Sequence, residues 1–328
     1  MPRIATKYQR GPIGLFNKHL QTIYPSLFRK FEDLIYDRER LELDDGDFLD
    51  LDWKTQDSKR LVIVSHGLEG SSDRHYVKGT VKAFIDDGWD ALAWNCRSCS
   101  GEMNRLLRLY HHGATDDLKR VVSHVESLDR YETVVLVGFS MGGGLTLKYL
   151  GEESENTPSL IKAAVAISVP VNLVASLPEI EKWGNYFYKR RFLRKLTVKV
   201  KGKAELYPDV IDLTGIDQIR NFDEFDNRYS APINGFKDAK DFYSKVSAHP
   251  YVPHIRIPTL ILNAWNDPLL SPECFPEQLA DEMENLYLET PKIGGHVGFL
   301  RPGKQLSYAD IRALEFCSSH VNVKKQTA

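Results

Sequence analysis

Short, almost unbroken apolar runs alternate along this chain with stretches in which apolar positions recur every three or four residues. Residues 41–43 and 48–53 flank Asp45-Gly46, and this pattern predicts a β-hairpin closed by a tight Asp-Gly turn. Residues 60–65, 91–95, 133–137, 162–168, 258–264 and 286–290 are short, mostly apolar runs, which predicts buried strands. Between residues 116 and 128, Leu118, Val121, Val122, Val125 and Leu128 share one helical face. Thr115 is the predicted N-cap of that helix, and Asp116 and Asp117 are its favourable first-turn charges. The alternation predicts an α/β chain: a mostly parallel, doubly wound sheet that starts with an antiparallel hairpin.

The rhythm breaks once. Between the strand ending near Ser168 and the one near Pro258 lies far more chain than a crossover helix needs. A mainly helical lid insertion is therefore expected over residues 171–249, between core segments 1–170 and 250–328. Residues 178–207 are rich in aromatic and basic side chains, among them Trp183, Tyr186, Phe187, Tyr188, Arg190, Arg191 and Lys195. Such a stretch can lie on a membrane surface, a peripheral contact made through the lid. The reading preferred here is a lid whose aromatics pack over a site while its charges face water.

The chemistry concentrates where the run at residues 133–137 meets Gly138-Phe139-Ser140-Met141-Gly142. A β-run entering Gly-x-Ser-x-Gly and leaving as a helix is a nucleophile elbow, a turn sharp enough to lift the serine above the sheet. A side chain at Gly138 or Gly142 would collide across the turn, and Gly143 and Gly144 would let the helix lie close to its neighbours. Ser140 needs a base, and the base needs an orienting group. On such turns the partners follow in the order acid, then histidine, each in a loop after a strand. Asp267 directly follows the run at 258–264, and His296 follows the run at 286–290 between glycines. Asp226, Glu273 and Asp281 do not follow a strand so directly. The oxyanion donors would be the backbone N–H of Met141 and one from the loop after residues 60–65, at Leu68 or Gly67. His66 is expected to shape that loop.

The chain resembles the YheT-like, embryogenesis-associated (AB-hydrolase-4) branch of the α/β-hydrolases. The resemblance runs nearly end to end, through residues 17–25, 44–48, 66–70, 97–102, 138–143, 222–226 and 294–299. It implies the α/β-hydrolase fold and a carboxylic-ester hydrolase with a Ser140–Asp267–His296 triad. Eukaryotic relatives act on lipid esters and often carry an N-terminal membrane anchor. This chain departs in having Ser98 where the family commonly has glycine, and in showing no such anchor.

Composition narrows the field. The formal net charge of −2 offers no basic face for nucleic acid. No secretory signal opens the chain, and its longest nearly apolar run, residues 163–177, is too short to span a bilayer. A cytoplasmic protein is expected. Four cysteines do not make a disulfide scaffold, and the Cys96-x-x-Cys99 spacing reads as a loop after a central strand. No cofactor is expected: neither a P-loop nor a dinucleotide fingerprint is present. No metal is expected either, since His111 and His112 are adjacent and point apart. Residues 323–328 read as a frayed tail. The expected partner is a small-molecule ester, of short to medium acyl chain or lipid-like. Acyl transfer to another acceptor, thioester cleavage, or ligand binding on an inactive scaffold remain open alternatives, as does the oligomeric state.

Overall fold

The computed structural model describes residues 3–321, so the tail at 323–328 lies outside the described residues. Nine strands form one sheet among them: β1 (Arg3–Ile4), β2 (Asp37–Glu42), β3 (Phe48–Lys54), β4 (Arg60–Ser65), β5 (Asp90–Asn95), β6 (Thr133–Phe139), β7 (Ile161–Ile167), β8 (Thr259–Leu262) and β9 (Leu286–Glu289). Their order is β1-β9-β8-β7-β6-β4-β5-β3-β2. The pairs β2–β3 and β3–β5 are antiparallel and every other pair is parallel. The α/β-hydrolase fold and its opening hairpin are therefore as expected.

The apolar runs are continuous because both sheet faces are covered. Along β4, Leu61 and Ile63 join one core while Val62 and Val64 join the other. On β6, Val134 and Leu136 are divided in the same way from Val135, Val137 and Phe139. Helices α1 (Lys18–Phe28), α2 (His75–Asp86), α3 (Thr115–Ser127) and α4 (Met141–Glu153) precede β7. Leu118, Val121, Val122 and Val125 of α3 and Leu145 of α4 cover the first face. The second is covered by Val77, Val81 and Phe84 of α2, together with Ala309, Ala313 and Phe316 of the C-terminal helix.

Three details of α3 differ from expectation. Thr115 is the first helical residue and Ala114 holds the cap position, without a side-chain cap bond. The Thr115 hydroxyl instead donates to Glu152 at 2.5 Å. Asp116 is a surface charge facing Arg108, but Asp117 is buried against Arg97, whose Nη2 also reaches Asp45 at 2.8 Å and whose Nη1 reaches Asp47 at 2.7 Å. The acid that looked like a dipole partner thus joins the hairpin turn to α3 through one buried guanidinium. Leu128 lies beyond the helix and is exposed.

Between β7 and β8 the chain forms α5 (Leu173–Glu181), α6 (Tyr186–Leu206), α7 (Phe222–Phe225), α8 (Ala231–Ile233) and α9 (Ala239–Val246). These helices enclose a core of their own, with Leu193, Val200, Ile216, Phe222, Phe225 and Tyr229 in one cluster. Ala248, Val252 and Ile255 return to the sheet core. After β8 come α10 (Glu277–Glu282) and, past β9, α11 (Tyr308–Val321).

Removing one partner from a buried charge cluster strands the others without solvent. Arg97→Ala should therefore lower stability by roughly 3–5 kcal/mol, read as a shifted urea midpoint. A loss below about 1 kcal/mol, the scale of exposed pairs, would show that water takes over the role of Arg97.

Candidate active site

β6 ends at Phe139 and α4 begins at Met141, so Ser140 alone makes the turn, with φ 52° and ψ −118°. That conformation is costly for a residue with a side chain, on the order of 1–3 kcal/mol. The turn is held by backbone contact. A Cβ on Gly138 would strike the Gly142 carbonyl, and one on Gly142 would strike the carbonyls of Ser65 and His66. A Cβ on Gly143 would meet Val169 at 3.0 Å, whereas nothing lies within 4 Å of the Gly144 position. The expected close approach thus applies to Gly143 and not to Gly144.

His296 Nε2 lies 3.0 Å from Ser140 Oγ, and Nδ1 lies 2.8 Å from Asp267 Oδ2. The carboxylate fixes the proton on Nδ1 and leaves the Nε2 lone pair facing the serine hydroxyl. The other carboxylate oxygen, Oδ1, accepts the Leu269 N–H at 2.9 Å. The Asp267 side chain is fully buried, so its charge acts on the imidazole with little screening. Of the competing acids, Asp226 lies in the insertion and Glu273 and Asp281 lie in or beside helical turns after β8.

Sequence reasoning missed what positions these loops. Gln21 Oε1 on α1 accepts from Asn266 Nδ2 at 2.9 Å and from the Gly294 N–H at 3.0 Å. Thr22 Oγ1 accepts the His296 N–H at 2.9 Å, and Ser168 Oγ accepts that of Val297 at 2.9 Å. One turn of α1 therefore braces the loops of both Asp267 and His296. The stretch at 17–25 stands out in the sequence only through the family resemblance; nothing in its composition indicates a partner so far along the chain.

The loop after β4 is equally constrained. Burial pushes the His66 imidazole down to about 4, keeping it neutral. Its Nδ1–H donates to Gly67 O at 2.8 Å while Nε2 accepts from the Cys96 N–H at 3.1 Å. The Gly67 N–H donates to Tyr76 Oη at 3.2 Å, and that of Glu69 to Tyr110 Oη at 2.8 Å. Among the described residues no protein acceptor meets the N–H of Leu68 or Met141. Ser98, at the family's glycine position, has φ 61° and accepts the Asn104 N–H at 3.0 Å.

Two cavities meet at Ser140 and His296. The first runs under the insertion, among Leu68, Leu177, Phe192, Val200, Phe225 and Tyr229. The second is a groove between α1 and α6, past Ile23, Leu27, Tyr188 and Arg191. The expectation that the insertion's aromatics pack over the site is only partly met. Phe192 does so, but Trp183 is 92 % and Phe187 78 % exposed. For Phe187 the reason is periodicity: Tyr188, Phe192, Lys195, Lys199 and Lys203 share the inner stripe of α6, which leaves Phe187 and Val198 facing outward, while Trp183 lies in the turn before the helix. Cys96 and Cys99 are buried thiols, both pushed up chiefly by burial. Among the described residues no group of three or more His, Cys, Asp or Glu converges as a metal site, and no helix is long and apolar enough to cross a membrane.

Residues 60–301 match the family model described as the alpha/beta hydrolase fold. The chain belongs to the α/β-hydrolase family. Within it, the YheT-like branch is indicated by the Escherichia coli protein named "Putative esterase YheT", 37% identical over 88% of this chain and 85% of that protein. Mouse "Phospholipase ABHD3" is 29% identical, over 94% and 77% of the two chains. The yeast "Monoacylglycerol lipase" is 30% identical, over 75% of this chain and 56% of its own. Among solved structures, a Pyrococcus furiosus esterase superposes with a TM-score of 0.59 over 95% of this chain and 97% of its own, at 17% identity, a likeness of fold alone.

A loop displaced by an ångström can cost on the order of 100-fold in rate. Gln21→Ala should accordingly lower kcat roughly 10- to 100-fold, with KM changing far less. An unchanged kcat would show that α1 does not position the site. A second expectation concerns Asp226 on the wall of the first cavity, raised from 3.8 to about 6 by burial. The folded state then holds a proton that the unfolded state has released, so stability falls as pH rises from about 4 to about 6. Asp226→Asn should flatten that slope in melting curves; an unaltered slope would assign it to other groups.

Proposed function

We propose that this α/β-hydrolase cleaves carboxylic esters by acyl transfer through Ser140, with His296 as base and acid and Asp267 as its orienting partner. The chain is a carboxylic-ester hydrolase. The observation that carries the mechanism is the unbroken hydrogen-bond line from Ser140 through His296 to the buried Asp267, at 3.0 and 2.8 Å. Ser140 Oγ attacks the ester carbonyl as Nε2 takes its proton. The tetrahedral oxyanion is stabilised by the N–H groups of Met141 and Leu68. Leu68 is preferred over Gly67 because the Gly67 N–H is already engaged by Tyr76. Collapse breaks the bond to the alcohol oxygen, which leaves with the proton from Nε2. Water then adds to the acyl-enzyme by the same route in reverse roles.

The first cavity, chiefly apolar near Ser140, suits the acyl chain, and the insertion acts as a lid over it. Relatives named for phospholipids and monoacylglycerol support lipid-like esters as substrates. The test uses a fluorophosphonate probe and a series of acyl esters on wild type and Ser140→Ala. Wild type should take up one adduct. The folded variant should take up none and lose activity by a factor on the order of 10⁴ or more. Turnover largely retained in the variant, or no adduct on folded wild type, would overturn the reading.

A further inference from the structure

The groove between α1 and α6 collects six cations, Arg29, Lys30, Arg74, Lys78, Arg191 and Lys195, but only three acids, Glu32, Glu69 and Asp73. Most of these charges are neutralised locally. Lys30 pairs with Glu32 at 3.5 Å and Lys78 with Asp73 at 3.0 Å. Arg29 pairs with Asp310, and Glu69 is held at 2.9 Å by Lys199 of α6. Arg74, Arg191 and Lys195 remain, and among the described residues no carboxylate pairs with any of them.

These three are gathered rather than scattered. Arg74 Nη2 and Lys195 Nζ donate to the same oxygen, the Glu69 carbonyl, at 2.7 and 3.0 Å. Arg191 stands one helical turn before Lys195 on α6. Burial, and then the field of Arg74, weakens the hold of both Arg191 and Lys195 on their protons. On the same groove wall, Arg29 Nη1 and His75 Nδ1 are buried without a partner among the described residues. Gathering like charges and leaving the Arg29 Nη1–H without an acceptor is unfavourable in the free protein. An anion in the groove relieves both costs, and the groove opens onto Ser140 and His296.

We propose that this groove binds the alcohol portion of the substrate and selects an alcohol that carries a phosphate monoester and a net negative charge. The assignment rests on the acyl-transfer reading of Ser140 and divides the substrate between the two cavities. The acyl chain enters the apolar cavity, while the phosphate is held by Arg74, Arg191 and Lys195. A zwitterionic headgroup fits less well, because the acids of the groove are already paired and none is left for its cation. The leaving alcohol departs with the proton from His296 and carries its phosphate intact.

The experiment compares three soluble hexanoyl esters: of glycerol, of glycerol 3-phosphate and of glycerophosphocholine. Wild type should favour the glycerol 3-phosphate ester over the neutral one by roughly tenfold or more in kcat/KM. The preference should appear mainly in KM and shrink with added salt. In Arg191→Ala/Lys195→Met the ratio should fall toward one, while Lys195→Arg should preserve it. No preference in wild type, an equal preference for the phosphocholine ester, or a preference that survives the double variant would overturn the assignment. So would acceleration of the glycerol ester by anionic vesicles with no preference among the soluble esters, which would give the cations to a lipid surface. The glycerol ester separates the two readings, since failure of wild type to cleave any of the three would count against the esterase reading itself.

Discussion

The contact between the backbone of Gly142 and the carbonyls at the end of β4 is the constraint on which the site depends. It lets α4 start directly against β4 and β6, and Ser140 makes the turn from β6 into α4 at a positive φ of 52°. The cost of that conformation is offset by the sheet core around it, where β4, β6 and β7 are buried on both faces. A methyl group at residue 142 would collide with those carbonyls and force the start of α4 away from the end of β4. The hydroxyl's height above the sheet is therefore a packing property rather than a loop property.

From that fixed point the remaining parts are brought in by hydrogen bonds between elements distant in the chain. Gln21 and Thr22 on α1 hold the loops after β8 and β9. Tyr76 on α2 and Tyr110, in the segment before α3, hold the loop after β4. Each such bond consists of one side-chain atom and a backbone N–H or a single amide, so it sets position without adding charge beside His296. Two buried carboxylates around the site, Asp267 and Glu69, are each given a cationic or ionisable partner, His296 and Lys199. A buried carboxylate without one would be strongly penalised.

The insertion adds asymmetry. α6 presents Phe192 to the apolar cavity and Lys195 and Lys199 to the loop after β4, so one helix bounds both the dry and the charged approach to Ser140. Its opposite face leaves Phe187 and Val198 in solvent. Movement of α6 would therefore change access and the anchoring of the loop that carries Leu68 together.

Local patterns were enough for the parts whose cause is local. Short unbroken apolar runs required parallel strands covered on both faces, the Asp45-Gly46 turn required a hairpin, and Gly138-x-Ser140-x-Gly142 required a sharp turn with the hydroxyl exposed. The positions of Asp267 and His296 after their strands could be read because chain order and strand ends are properties of the sequence. What the sequence leaves open is decided by distance in space. Asp117 looked like a helix-start charge until the fold placed Arg97 against it. Gln21 and Thr22 carried no chemical signature, since an amide and a hydroxyl acquire a role only from what they face. Likewise, which of the groove's six cations keep an unpaired charge depends on the pairings that folding makes, and no spacing along the chain encodes those.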